Sequence, residues 1–275
     1  MFSISVKALF EATCRLLKNW RTTALIATVY AALVVTIYFF VSTREATVAQ
    51  LIITLVLGIA VPILFFVLQT ASVNYTTETA AGLLLRKSAM DFWKLVIVSL
   101  PVIALTIVAL YALGKAQAYL RIGATVAPSE LTYQTQTAHS QLHWGLAGLI
   151  TVRYLLLGIV VPLLLVHFWI AASSQGLRSL LTWRSLVARL REFAVKAFAP
   201  ESFLIYATGF LIFAVIPYLT LFKTIPNKRA WVEVSLLAFR LLVSATLILL
   251  GWLTTVGALS ISAATPAESH HAGEL

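Results

Sequence analysis

Six long stretches of this sequence contain no charged residue, and their length constrains the fold more than any other feature. A helix needs about 20 apolar residues to cross roughly 30 Å of hydrocarbon. Each stretch has that length, so the sequence predicts an all-α, polytopic membrane protein with six transmembrane helices. The six stretches are residues 22–43, 46–77, 95–114, 154–177, 202–222 and 241–267. We expect the fourth span to begin earlier, near Trp144, and the sixth near Trp231.

The composition excludes the main soluble classes. Hydrophobic residues make up 60% of the 275 residues and charged residues only 11%, and the mean hydropathy is +0.94. A soluble domain carries about 25% charged residues, so this chain could not cover a water-facing surface. Soluble enzymes, nucleic-acid modules and disordered proteins are therefore excluded. The formal charge of +10 is interpreted as positive charge on the cytoplasmic side of a membrane, not as nucleic-acid binding.

The distribution of Lys and Arg predicts the orientation, because cytoplasmic segments carry an excess of these residues. With the N-terminus inside, the cytoplasmic segments hold twelve of the twenty Lys and Arg residues, the outer segments six and the spans two. The predicted topology is therefore N-in and C-in. Residues 1–262 form one integral domain in this interpretation, and residues 263–275 form a disordered tail.

An internal repeat is the most specific motif. The octapeptide 57–64, Leu-Gly-Ile-Ala-Val-Pro-Ile-Leu, recurs at 157–164 as Leu-Gly-Ile-Val-Val-Pro-Leu-Leu, with six of eight positions identical. A glycine and a proline recur at the same spacing, and prolines inside helices are common sites of kinks. The candidate kink residues are Gly58, Pro62, Gly158 and Pro162.

A basic amphipathic stretch precedes each pair of spans. In the first stretch the predicted apolar stripe is Val6, Leu9, Phe10, Thr13, Leu16, Leu17 and Trp20. The second stretch covers about residues 80–94 and the third 177–198. A charged face beside an apolar, Trp-bearing stripe is typical of helices in a membrane interface. The sequence therefore predicts three repeats of one interfacial helix and two spans, with approximate limits 1–74, 75–176 and 177–262.

Two arginines are predicted to lie inside spans. Arg153 and Arg240 each follow the tryptophan at the outer start of the span by nine residues, which places them at one depth. An arginine within the membrane costs a few kcal/mol on insertion scales, so it faces a cavity, a partner or a route to the interface. One interpretation is an anion or headgroup site shared by both arginines. The other is snorkelling to the outer interface, or pairing of Arg240 with Glu233.

Residue patterns for catalysis and for metal binding are missing from the sequence. His139 and His143 share a helical spacing but have no companion cysteine or aspartate, and the single cysteine, Cys14, excludes an internal disulfide. Asp91 is the only aspartate and lies among Arg86, Lys87 and Lys94, so we expect a salt bridge there. The expectation is a protein that is not an enzyme and has no cofactor and no metal.

The repeated order of interfacial helix and paired spans, with Gly-x-x-x-Pro at 58–62 and 158–162, resembles a broad bacterial group. The group includes the membrane domain of some glycerophosphoryl diester phosphodiesterases and the YciC-type six-span inner-membrane proteins. The resemblance covers nearly the whole chain. It implies a location in the bacterial inner membrane and an accessory role in lipid or envelope physiology. It implies no catalytic residue, because the phosphodiesterase chemistry belongs to a separate soluble domain.

Two functions follow as hypotheses. The first is a non-enzymatic membrane module that binds lipids or recruits a partner of unknown identity. Under this first hypothesis, basic residues contact anionic lipid headgroups on the cytoplasmic side. The candidate basic residues are Arg15, Lys18, Arg86, Lys87, Arg184 and Arg189. The second is a small transporter or export permease with an anion site at Arg153 and Arg240.

Overall fold

The structure, a computed structural model, is built from helices packed into one bundle. It describes residues 2–43, 47–78, 80–125, 144–175, 191–192, 194–222 and 230–264. We number the α-helices in chain order, and two π-helical turns interrupt them. The helices are α1 Phe2–Lys18, α2 Trp20–Ser42, α3 Val48–Asn74, α4 Ala81–Thr125, α5 Trp144–Leu155, α6 Val161–Gln175, α7 Pro200–Phe210, α8 Ile216–Phe222 and α9 Ala230–Ala264. The π-turns are Leu156–Val160, between α5 and α6, and Leu211–Val215, between α7 and α8.

Six segments of the described chain are long and apolar enough to cross a membrane, which confirms the predicted all-α, six-span fold. The fourth begins at Trp144 and the sixth at Trp231, as expected. The spans are Trp20–Ser42, Val48–Asn74, Ala81–Leu120, Trp144–Ser174, Pro200–Phe222 and Trp231–Ala263. The last helix extends to Ala264, and the rest of the predicted tail lies outside the described residues.

The first two predicted interfacial stretches adopt different structures. Helix α1 is separated from α2 by Asn19, which leaves helical geometry at φ −102° and ψ 57°. The second stretch, in contrast, continues without a break into its span, because Ala81–Thr125 is one 45-residue helix. No glycine, asparagine or proline stands between Lys87 and Leu100 to end the helix. The threefold arrangement of separate interfacial helices is therefore not confirmed, and most of the third stretch lies outside the described residues.

Most buried side chains lie in one half of the bundle; Pro217 of α8, toward the other end of its span, is also buried. This packed half, on the side of the N-terminus, comprises residues 22–33, 67–75, 84–102, 163–172, 202–209 and 244–259. The opposite, open half contains no buried residue within 34–42, 48–66, 103–120, 144–160 or 231–243. In the open half the spans pair as hairpins, as Phe40 beside Gly58 and Leu120 beside Gly145 illustrate. The apolar surface exposed there is compatible with hydrocarbon and not with water.

The two copies of the repeated octapeptide differ in backbone structure. Helix α3 runs as an α-helix through Pro62, whereas the turn Leu156–Val160 before Pro162 is π-helical. The other π-turn, Leu211–Val215, ends at the same distance before Pro217. The kinks at Pro62 and Pro162 remain predictions, since a π-turn is a local irregularity and not a measured bend.

Candidate membrane-interface site

Helix α1 has three distinct faces, each roughly a third of the circumference at about 100° per residue. The first face is buried against α7 and α9 and consists of Ser5, Ala8, Ala12 and Leu16. The second is apolar and exposed, and consists of Val6, Phe10 and Leu17. The third is polar and exposed, and consists of Lys7, Cys14 and Lys18. A helix with one face buried in protein, one apolar exposed face and one polar exposed face suits a membrane interface.

This arrangement divides the apolar stripe predicted for α1. Leu16 is only 5% exposed and packs into the bundle, whereas Phe10 and Leu17 are 70% and 76% exposed. Sequence periodicity could not separate these two groups, because the stripe is continuous around the helix. Only the position of α7 and α9 decides which apolar residues face protein.

The start of α4 carries a similar exposed face. Leu83, Arg86, Met90 and Trp93 follow helical spacing on one side and are all exposed. On the other side Leu84, Ser88 and Leu95 are buried. The face therefore combines apolar side chains, an indole and a guanidinium, as the membrane interface favours.

Exposed aromatic side chains lie near both ends of the bundle. Trp20 and Trp93 lie at the packed half, and Tyr119, Trp144 and Trp231 at the ends of the open half. Along α4, the 26 residues from Trp93 to Tyr119 correspond to about 39 Å of helix, close to the thickness of a bilayer with its interfaces. The two groups of aromatics match the two belts expected for a membrane protein.

Only part of the predicted basic set is available to a headgroup. The Arg15 guanidinium donates to the Thr76 carbonyl at 2.7 Å and to the Glu11 carboxylate at 2.7 Å. Lys87 pairs with Glu78 at 2.8 Å. Lys18 and Arg86 are exposed and belong to none of the ion pairs found among the described residues. Arg184 and Arg189 lie outside the described part of the chain.

Arg15 instead fixes the end of α3 against α1. Its hydrogen bond holds the carbonyl just after α3, next to Tyr75, whose hydroxyl donates to the Leu253 carbonyl at 3.0 Å. Burial raises the pKa of the Tyr75 phenol, and the charge of Arg15 acts in the opposite direction. The phenol therefore stays neutral and remains a donor at physiological pH. Arg15 and Tyr75 together join α1, α3 and α9.

The expected salt bridge of Asp91 is confirmed, with Lys94 as its partner at 2.7 Å. No group of three or more His, Cys, Asp or Glu that could hold a metal occurs among the described residues. His139 and His143 lie outside them. Within the described chain, a Lys or Arg pairs with each of Glu11, Glu78, Asp91 and Glu192.

The two intramembrane arginines occupy different surroundings. Arg153 is exposed on the surface of α5, whereas Arg240 is half-buried on α9 and has an interaction partner. Helix α5 packs mainly against α4, and α9 packs against α1, α7 and α8. The common depth of the two arginines is a feature of the sequence; a common site for an anion stays a prediction.

The packed half contains polar groups that are paired between helices. The Trp252 indole donates to the Gln69 amide oxygen at 2.8 Å, and the Trp169 indole donates to the Ser99 hydroxyl at 2.8 Å. The Ser173 hydroxyl donates to the Asn74 amide oxygen at 2.6 Å. Hydrogen bonds between membrane helices contribute about 0.6–2 kcal/mol each. These side chains therefore fix the relative positions of α3, α4, α6 and α9.

Sequence reasoning missed the glycines at which helices approach most closely. A Cβ atom at Gly257 would lie 1.8 Å from the Tyr75 hydroxyl, and one at Gly209 would lie 1.8 Å from the Thr255 hydroxyl. At the predicted kink residue Gly158, by contrast, an added Cβ would meet nothing within 4 Å. Composition alone does not separate these glycines, because the difference depends on which helix lies opposite.

Comparison with known proteins identifies no relative: no protein-family model matches the chain, and neither a curated protein nor a solved structure matches it. The class of protein therefore rests on the six spans and on the three-faced helix α1. The chain is a multi-pass integral membrane protein.

The single cysteine offers a direct test of the predicted orientation. Cys14 is exposed on the polar face of α1. With the N-terminus inside, a membrane-impermeant maleimide should label Cys14 in inside-out vesicles and leave it unlabelled in intact cells until they are permeabilised. The measurement is the mass shift of the purified protein, with Cys14→Ser as the control for nonspecific labelling. Labelling of Cys14 in intact cells would show that the N-terminus lies outside, opposite to the predicted topology.

Proposed function

We propose that this chain is a non-enzymatic protein of the bacterial inner membrane, N-in and C-in, that binds anionic lipid or recruits a partner at its cytoplasmic surface. The observation that carries the proposal is the structure of α1. Its apolar face, with Phe10 and Leu17, lies beside a cationic face with Lys7 and Lys18. This pair of faces suits acyl chains on one side and headgroups on the other.

Charge supports an anionic ligand over a neutral one. Lys18 and Arg86 are exposed beside exposed apolar side chains, and each basic residue near an anionic surface contributes about 1 kcal/mol. A relationship to the bacterial membrane domains named above is part of this proposal and would place the chain in lipid or envelope physiology. A protein partner with an acidic, apolar surface would use the same residues and is the second form of the same hypothesis.

Lipid retention in native mass spectrometry distinguishes exposed from paired basic residues. We expect Lys18→Gln/Arg86→Gln, extracted in mild detergent and given phosphatidylglycerol, to bind the lipid about thirtyfold more weakly than wild type. That factor corresponds to roughly 2 kcal/mol for two charges. The matched control, Lys87→Gln/Lys94→Gln, removes two charges that already have partners, Glu78 and Asp91, and should retain more lipid. Equal retention by wild type and both variants would contradict headgroup binding.

The same measurement tests the alternative, a small transporter or export permease with an anion site at Arg153 and Arg240. Arg153→Leu/Arg240→Leu would then lose a bound anion that wild type retains, while Lys18→Gln/Arg86→Gln would keep it. If the arginines snorkel to the outer interface, this variant and wild type should give equal spectra.

A further inference from the structure

The carbonyl of Gly158 lacks its ordinary helical partner. In an α-helix this carbonyl accepts from the N–H of residue 162, but residue 162 is a proline and has no N–H. The preceding backbone forms the π-turn Leu156–Val160, in which the Val161 N–H bonds to the Leu156 carbonyl. Such turns are frequent at functional positions of helices.

Tyr206 supplies the missing donor from another helix. Its hydroxyl lies 2.7 Å from the Gly158 carbonyl oxygen, and its side chain is only 1% exposed. The ring packs against Phe210, at a centroid distance of 6.3 Å, and against Phe213, at 6.0 Å. The hydroxyl is therefore held in place, and it joins α7 to the π-turn of the fourth span.

The segment beyond this bond has little else to hold it. Residues 103–120 of α4 and residues 144–155 of α5 form the two helical segments of one hairpin, and none of these residues is buried. Each of the two segments joins the packed half next to a proline, Pro101 in α4 and Pro162 in α6. Below the prolines, the Trp169–Ser99 hydrogen bond fixes the two helices to each other. A proline has no backbone N–H and removes one helical hydrogen bond. The two segments of the hairpin should therefore bend most easily at a similar depth in the bundle.

We propose that this hairpin is a movable arm, hinged at Pro101 and at the π-turn before Pro162, and held closed by the hydrogen bond of Tyr206 to Gly158. Breaking that bond frees the arm to move relative to residues 231–243 of α9, which lie in the same open half, while the packed half stays in place. The device does not depend on lipid binding at α1, so the two proposals succeed or fail separately.

Distances between spin labels test the hinge. Labels at Val152→Cys and Leu237→Cys, both exposed positions of the open half, report the arm in a Cys14→Ser background in lipid nanodiscs. We expect Tyr206→Phe to broaden this distance distribution and to add a longer component. A control pair in the packed half, Thr28→Cys and Ala89→Cys, both exposed positions, should give the same distance distribution with and without Tyr206→Phe. Tyr218→Phe, at an exposed tyrosine of the same span, should leave both pairs unchanged.

Pro162→Ala provides the decisive second variant. It restores a backbone N–H opposite the Gly158 carbonyl, so Pro162→Ala/Tyr206→Phe should return the arm to the wild-type distribution. Should Tyr206→Phe alone fail to fold, Pro162→Ala by itself still tests the hinge, because it should narrow the wild-type distribution. An unchanged arm in Tyr206→Phe, equal broadening of the control pair, or no effect of Pro162→Ala would each overturn the proposal.

Discussion

Replacing Gly257 by alanine is expected to destabilise the protein strongly. Among the described glycines that lie away from the contact between α7 and α9, we expect no other added methyl group to have a larger effect. The new Cβ would lie 1.8 Å from the Tyr75 hydroxyl oxygen and 2.6 Å from the ring carbon that carries it. The ring has no easy way to move, because its side chain is buried and its hydroxyl is bonded to the Leu253 carbonyl. Helices α3 and α9 would have to separate. Overpacking of this kind costs about 1–3 kcal/mol.

The measurement is the free energy of unfolding in an SDS titration from bicelles. Gly148→Ala is the matched control, because a Cβ there would meet nothing within 4 Å. It adds the same methyl group in an exposed helix and should be neutral or slightly stabilising, since alanine favours the helix over glycine. If both variants unfolded at the same SDS concentration, the close contact between Tyr75 and Gly257 would be wrong.

A second large effect is expected at Gly209, where α7 and α9 meet. In Gly209→Ala the added Cβ would lie 1.8 Å from the Thr255 hydroxyl and 2.8 Å from its Cβ. Thr255 is fully buried, and its hydroxyl already bonds to the Gly251 carbonyl. The side chain therefore cannot leave the contact without losing that bond, and we expect a loss of about 1–3 kcal/mol.

Exchanging the sizes of the two residues tests this contact specifically. Thr255→Gly removes the side chain that Gly209→Ala would meet, so the double variant should be more stable than the sum of the single changes predicts. Thr255→Gly alone costs about 1 kcal/mol or less in helix propensity. Double-mutant cycles on residues in contact give coupling energies of about 0.5–3 kcal/mol. Additive effects would show that the two positions do not touch.

The sequence predicted the spans well, because hydrocarbon imposes a length and strongly disfavours charge along each span. Trp144 and Trp231 begin their spans as expected, and Asp91 forms its predicted salt bridge with Lys94. These features depend on residues near one another in the chain. The break at Asn19 and the continuity of α4 at the corresponding junction are also local, but the amphipathic pattern alone does not distinguish them.

The sequence predicted which types of residue form the candidate interface, but not which individual side chains are exposed there. Sequence periodicity placed Leu16 and Leu17 in one stripe, whereas the structure buries Leu16 and exposes Leu17. Charge counting treated Arg15 and Lys18 alike, whereas Arg15 bonds to the Thr76 carbonyl across 61 residues. The sequence contained no signal for the bond between Tyr206 and Gly158, although Pro162 itself showed that a carbonyl would lose its donor.

By itself, the sequence determined the membrane class and the number of spans. Each follows from hydration free energies summed along the chain, which no tertiary contact can reverse. The tertiary structure alone decided which half of the bundle packs, which glycines admit a neighbouring helix and which cations are already paired. Those outcomes depend on distances between residues far apart in sequence. The helices are nearly uniform in hydropathy, so small residues and polar groups determine how they fit together.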